Sequence, residues 1–389
     1  MTQAELEKQV RLLMTRFDDV NTFYIRKVAA QIAAIGELSA SSLNVISVMA
    51  SMYEDIAEIN MRIAQAARLT APELTRVYER ALTDVYSSPR FERALQEQPL
   101  DDAYKRQLAQ YTQAVTRQTV GTMQNLSNTT AVSQTYRQAV DKAVLAVSSG
   151  LGDYSSMMRK SIRELGSNGL QVEYESGYRR RLDSAIRQNI VDGVGQINQH
   201  AHDLIGEALG FNAKEITAHL NSAPDHEPVQ GRVFLNEEFE KLQSNQAAKD
   251  IEGRLFPAMA RPIGEWNCMH FVYPFDTRFS KRKYTNEQLD QWAVDNANGC
   301  EIDGRHYTNY EATQLMRKIE TEVRRQKDIG VAAEAAGDTA LRQEAQVKIR
   351  ALTDKYTQVA NAAGLNERRE RMRVEGFHAV RIKRASKTA

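Results

Sequence analysis

Apolar residues recur near the start of the chain in steps of four and three: Leu6, Val10, Leu13, Phe17, Val20 and Tyr24, extended by Val28, Ile32 and Ile35. That spacing is the seam of an amphipathic helix, and it restricts this region to long helices packed along one stripe. Gly36 is a natural break, after which Ile46, Met49, Tyr53, Ile56 and Ile63 form a second seam. Composition favours the same reading. Gly (20) and Pro (8) are scarce in 389 residues, and Gln, Ala, Arg and Glu are abundant. Thr70-x-x-Glu73, with Pro72 in the first turn, is a capping box and predicts a new helix start. Ser87-Ser88-Pro89 ends that helix, and Pro99-Leu100-Asp101 opens the next, with Tyr104, Leu108, Tyr111 and Val115 on its apolar face. A polar link, Ser127-Asn128-Thr129-Thr130, precedes a further stripe of Val132, Tyr136, Val140, Ala143 and Val147. Such stripes imply helices packed on each other or on a partner, and they call for no cofactor.

The texture changes at Ser148-Ser149-Gly150-Leu151-Gly152-Asp153. A short helix from Tyr154 to Leu165 leads through Gly166 and Gly169 to an extended Val172-Glu173-Tyr174. A long helix follows with Leu182, Ile186, Ile190, Val194, Ile197, Leu204 and Leu209 inward and Gly210 as its stop. Between Glu215 and Phe275 short strands are expected at Ile216-Thr217-Ala218-His219, Val233-Phe234-Leu235 and Phe271-Val272-Tyr273. Helix returns at two capping boxes, Thr285-x-x-Gln288 and Thr308-x-x-Glu311, continues to about Ile329, resumes from Thr339 to Ala362, and recurs briefly after Gly364-Leu365-Asn366. The expected fold is mainly α with an embedded small α+β domain, long amphipathic N-terminal helices and a helical C-terminal extension. The corresponding divisions are 1–149, 150–280 and 281–389.

At this length two or more domains are expected. Fifty-one Lys and Arg against 50 Asp and Glu leave a net charge of +1, so any contact with nucleic acid has to be local. The local basic tract is C-terminal: Arg368, Arg369, Arg371, Arg373, Arg381, Lys383, Arg384 and Lys387, set against Glu367, Glu370 and Glu375. It reads either as a solvated tail or as a phosphate-contacting one. Two cysteines, Cys268 and Cys300, rule out a disulfide scaffold and point to folding in a reducing compartment. The N-terminus lacks the basic and apolar segments of a secretory signal, and the most apolar stretch, Leu43 to Ala50, is too short to span a bilayer. No membrane partner is expected.

The side chains with most chemical potential are His219, Asp225, His226, Cys268 and His270. Imidazole, carboxylate and thiolate are the ligands of a structural zinc site, although no C-x-x-C or H-E-x-x-H spacing is present. A buried hydrogen-bonding network that locks loops onto the small sheet accounts for the same residues. An acid/base pair of Asp225 and His226 is weakened by adjacency, since neighbours on a strand diverge. Glu238-x-Glu240 resembles the acidic pairs of nicotinamide-using transferases. No Walker loop, G-x-G-x-x-G after a strand, or G-x-S-x-G occurs, so no convincing enzyme emerges.

A set of ordered blocks resembles the phage minor capsid protein 2 family. It comprises Tyr174-Glu175-Ser176-Gly177, Asp183-Ser184-Ala185-Ile186-Arg187, Glu215-Ile216-Thr217-Ala218-His219, Pro224-Asp225-His226, Gln230-Gly231-Arg232-Val233-Phe234, Trp266-Asn267-Cys268-Met269-His270, and Tyr307-Thr308-Asn309-Tyr310-Glu311-Ala312-Thr313-Gln314. The blocks run from about Gly150 to Phe377, while the N-terminal part matches in texture only. Asn221-Ser222-Ala223 stands where the family often has Gly-Ala-Arg, Val229 where it has Trp, and Met269 where it has Arg. The loss of that Arg argues against an anion site. The resemblance implies a structural minor head protein of a tailed phage, located in the virion and assembled in the host cytoplasm. Its implied partners are the portal protein, the major capsid protein and, without sequence reading, packaged DNA; its implied roles are head assembly, packaging or ejection. A metal-dependent hydrolase or ADP-ribosyltransferase-like enzyme centred on His219 to His270 is the alternative.

Overall fold

The computed structural model describes residues 3–37, 42–86, 91, 95–128, 132–149, 154–264, 268 and 270–379. Helices dominate: α1 (Gln3–Glu37), α2 (Ser42–Tyr86), α3 (Asp102–Asn128), α4 (Val132–Ser149), α5 (Tyr154–Asn168), α6 (Leu182–Ala208), α7 (Asn236–Gln243), α8 (Asn286–Asn298), α9 (Asn309–Ala335) and α10 (Thr339–Ala362), followed by a 3-10 turn at Arg369–Met372. The strands are short and antiparallel. A hairpin pairs β1 (Gln171–Glu173) with β2 (Arg179–Arg181), and a three-stranded sheet has the order β4 (Val233–Leu235), β3 (Ala213–Ile216), β7 (Val272–Phe275). Two further two-residue and three-residue hairpins join β5 (Ala248–Lys249) to β6 (Leu255–Phe256) and β8 (Cys300–Ile302) to β9 (Arg305–Tyr307). The chain is mainly α with small α+β parts, as its periodicities predict.

The first seam is buried along its whole length, from Leu6 through Val10, Phe17 and Tyr24 to Ile35. The second holds at Ile56 and Ile63 and departs at Tyr53. Tyr53 is 52% exposed, whereas Met52, Ile56, Ile59 and Ile63 are buried, so the stripe runs through Met52 and Tyr53 sits near the Arg137 guanidinium. The side chains of Ile46, Met49, Ala143 and Val147 lie outside the described residues, as do 129–131, 150–153 and Ser87-Ser88-Pro89.

Three local expectations are corrected. The box at Thr70 is not a helix start, because α2 runs unbroken through Pro72. Thr70 is buried and its hydroxyl donates to the Ala66 carbonyl one turn back, so its oxygen is not capping a new helix. Buried residues on both sides, Ala66, Ala67, Leu74 and Tyr78, hold the helix together where Pro72 removes a backbone donor. Gly166 is not a stop either: α5 continues to Asn168, and a Cβ at Gly166 would meet the Ile329 Cα at 2.5 Å. The stop is Gly169, with φ +57. Finally, α9 passes Ile329 and ends at Ala335. Elsewhere the caps act as written. Asp101 accepts from Tyr104 N at 2.9 Å, Thr285 Oγ1 from Gln288 N at 3.2 Å, and Thr308 and Glu311 bond reciprocally at 2.9 and 3.1 Å.

Packing divides the chain into two units that interleave along the sequence. One comprises 1–10, 71–122 and 188–313, the other 11–70, 123–187 and 314–389. The partition at 149 and 280 follows composition along the chain; this one follows contacts.

The first unit contains the three-stranded sheet. Its apolar core gathers Ile216, Val229, Phe234, Phe239, Phe256, Met259 and Val272. Expected strand positions 216–219 are displaced: β3 ends at Ile216, and Thr217 to His219 leave the sheet toward the loops. In the second unit Arg181 binds Asp328 at 2.8 Å and Asp183 at 3.3 Å, and Arg324 reaches Asp183 at 3.2 Å. Asp328 and Asp183 are buried. Asp18 joins this cluster electrostatically: burial, then repulsion from Asp183, outweighs the attraction of Arg324 and pushes its carboxyl up to about 7. Burial opposes ionisation of Asp183 too, but Arg181 and Arg324 overcome it and hold that carboxyl at about 2.

Candidate metal centre

Two segments beside the sheet bring His226, Cys268 and His270 together, with one ligand atom from each within 4.8 Å of the others. His226 lies in the turns between β3 and β4, where His226 N bonds Ala223 O at 3.0 Å and Gln230 N bonds His226 O at 3.0 Å. Cys268 and His270 precede β7, and Cys268 packs on the sheet's apolar core. Cys268 Sγ lies 3.3 Å from His226 Nδ1 and 3.3 Å from His270 Nδ1. The far nitrogens are also engaged. His226 Nε2 donates to the Arg261 carbonyl at 3.0 Å, while His270 Nε2 faces Gln230 Oε1 at 3.3 Å and Ser222 Oγ at 3.4 Å. Both imidazoles are buried, His226 to 1% and His270 to 4% exposure.

The other two candidates surround this trio without joining it. His219 stacks on His270 with ring centroids 4.4 Å apart, and its Nδ1 donates to the Leu220 carbonyl at 3.0 Å. Asp225 is claimed by Arg261 in a two-pronged pair at 2.7 and 2.8 Å, so its oxygens face a guanidinium. Asp225 and His226 do approach, to 3.8 Å, because they sit in a turn and not on a strand. Glu238 uses one oxygen on Lys241 and the other on Lys249 N at 2.7 Å, a structural role within α7 and β5.

Electrostatics follow from this packing. Burial alone would lower His226, but the hydrogen bond and charge of Cys268 outweigh it and raise the imidazole above its ordinary value. Burial raises the Cys268 thiol, yet hydrogen bonds from His226 and from the Gly264 and His270 backbone overcome it, leaving the thiol below its usual range. His270 is pushed down to about 3 by burial and by the neighbouring His219, His226 and Arg261 charges. One thiol and two imidazoles turned toward one another are sulfur and nitrogen donors of the type that a soft divalent ion takes.

Arg261, Gln230 and Ser222 complete the site and were not singled out by ligand chemistry. Gln230 carried a signal only through its place in the Gln-Gly-Arg block. In the same block Gly231, at φ +66, would press a Cβ against Leu289 at 2.6 Å. Trp266, Asn267 and Met269 lie outside the described residues. Of the basic tract, Arg369 pairs with Glu367 at 2.5 Å, Arg373 with Glu375 at 2.8 Å and Arg371 with Glu320 at 3.8 Å. Arg381, Lys383, Arg384 and Lys387 lie outside the described residues.

Fold and site together define a helical scaffold protein carrying a small α+β unit with a buried Cys–His cluster. The chain belongs to the phage minor capsid protein 2 family, whose pattern matches residues 3–361. The match includes the N-terminal helices, beyond the blocks that carry the resemblance in sequence. It makes this chain a phage minor capsid protein and a component of the virion. No curated protein and no solved structure matches it significantly.

Proposed function

We propose that the chain sits at or near the portal vertex of a tailed phage head and supports head assembly, DNA packaging or ejection without a catalytic step. The family match over residues 3–361 carries this reading. The scaffold suits it, because long helices give a rigid frame that can present surfaces to portal and major capsid subunits. Attachment through the N-terminal seam itself is disfavoured: those apolar residues are already buried within the chain. A docking face on α1 or α2 has to use their outward residues, among which Leu12 and Met61 are 56% and 61% exposed.

Co-expression with the portal protein of the same phage, followed by native mass of the purified complex, tests the placement. A defined complex supports it; a portal that purifies alone moves the chain to the capsid lattice. The basic tract is the proposed contact for packaged DNA, through phosphates only. Arg369 and Arg373 have exposed heads, at 61% and 62%, whereas Arg371 is turned inward to Glu320 at 20%. Replacing Arg369 and Arg373 with Gln, together with Arg381, Lys383 and Arg384, is expected to change DNA retention in assembled heads. Unchanged retention removes the DNA contact from the proposal.

A further inference from the structure

We propose that Cys268, His226 and His270 bind a zinc ion through one thiolate and two imidazole Nδ1 atoms, with solvent completing the coordination. The protons available at the cluster cannot satisfy all three groups. Gln230 Oε1 accepts the His219 backbone N–H at 3.1 Å, so its carbonyl, and not its amide nitrogen, faces His270 Nε2 at 3.3 Å. An acceptor there requires His270 to carry its proton on Nε2. The Arg261 carbonyl, 3.0 Å from His226 Nε2, imposes the same on His226. Each imidazole therefore turns an Nδ1 toward Cys268 Sγ, at 3.3 Å in both cases.

One S–H, or one imidazolium N–H, can occupy one of these two gaps. The other leaves a nitrogen lone pair against sulfur lone pairs in a buried place, which is unfavourable. A cation between the three donors satisfies all of them at once. The spacing agrees: tetrahedral zinc with Zn–S of about 2.3 Å and Zn–N of about 2.05 Å separates sulfur from nitrogen by about 3.6 Å. The observed separations are 3.3 Å, and a small side-chain adjustment closes the difference.

The surroundings have the character of an outer ligand shell. Ligating histidines usually donate their other N–H to a carbonyl or carboxylate, which fixes ring and tautomer, and here Arg261 O and Gln230 Oε1 take those roles. The Asp225–Arg261 pair, at 2.7 and 2.8 Å, positions the carbonyl-bearing residue. On binding, any proton on Cys268 Sγ passes to solvent and the ion takes its place. Three protein ligands and one open position are also the arrangement of catalytic zinc; the role proposed here is to clamp the 217–231 loop onto the segment before β7.

The test uses the full chain expressed with added zinc, then freed of loose ions on a desalting column. Elemental analysis is expected to find about one zinc per chain in the wild type and in His219→Ala, and at least about tenfold less in Cys268→Ser. Replacing zinc by cobalt is expected to give a near-ultraviolet thiolate-to-metal absorption band in the wild type. Gln230→Ala, which leaves all three ligands in place, should weaken cobalt affinity by about tenfold or more. Metal-free wild type with no cobalt band overturns the proposal, as does equal zinc in wild type and Cys268→Ser. If Cys268→Ser does not fold, the cobalt band and the Gln230→Ala titration decide alone: a band weakened by the substitution supports the site, and no band or an unchanged affinity rejects it.

Discussion

Asp18 and Asp183 show how one environment drives two carboxyls in opposite directions. Asp18 is raised to about 7 by burial and by Asp183, so between pH 3.8 and about 7 the folded chain holds a proton that the unfolded chain has released. Its contribution to stability falls as pH rises through that window, and by at most about 4 kcal/mol. Asp183, held at about 2 by Arg181 and Arg324 against the effect of burial, behaves in the reverse sense. Its stabilisation is complete above the ordinary value of 3.8 and is lost as pH falls toward 2. Asp18→Asn is therefore expected to raise stability at pH 8 and to flatten the dependence between pH 4 and 7, measured by urea denaturation across that range. An unchanged slope would assign the proton elsewhere. Asp183 is visible in sequence only as the start of a family block, and Asp18 not at all. Their charges meet only because α1, the start of α6 and α9 each bring one acidic residue to the same place.

Helix ends and helix contacts are the scale at which sequence motifs acquire or lose meaning. Thr70 and Thr308 open similar patterns, yet only Thr308 caps a helix, through Glu311 N at 3.1 Å. Thr308→Ala is expected to cost about 0.5–2 kcal/mol through loss of the cap. Thr70→Ser, which keeps the hydroxyl donated to Ala66 O but removes a buried methyl, should cost about 1 kcal/mol through packing alone. Glycines divide the same way. Gly166→Ala drives a methyl into the Ile329 backbone and is expected to cost about 1–3 kcal/mol. Gly195→Ala meets nothing within 4 Å inside α6 and should gain about 0.5–1 kcal/mol. Thermal unfolding of these variants checks the pattern; equal effects of the two alanines would refute close helix approach at Gly166.

At the scale of the molecule, the C-terminal segment beyond α10 is part of the second unit. Thr22 Oγ1 donates to Glu375 O at 2.8 Å, Arg26 to Gly376 O at 2.8 Å, and Lys327 to Met372 O at 2.7 Å. Phe377 covers Gly330, and Tyr356 receives the Arg368 N–H at 2.9 Å. The family match ends at 361, but a chain ended at Ala362 is expected to lose these contacts and to melt several degrees lower, about 2–4 °C for each kcal/mol lost. A melting temperature equal to that of the full chain would show the segment to be dispensable. For the same reason deletion of 1–70 removes core residues along with any docking face, and point changes at Leu12 or Met61 are the cleaner probe of attachment.

Helical character, the first seam, the caps at Asp101, Thr285 and Thr308, and family membership were all legible in the sequence, because periodicity and capping act over neighbouring residues and family blocks are contiguous. Of the five ligand-type residues, their chemistry was legible but not their grouping. Only the tertiary structure brought Cys268 between His226 and His270, handed Asp225 to Arg261, and set Gln230 as the acceptor that orients a ring. The same holds for the shift of the second seam from Tyr53 to Met52, the continuation of α2 through Pro72, and the charge cluster around Asp183. Each depends on partners many residues away, whose packing and electrostatic energies outweigh the local preferences that a sequence motif expresses.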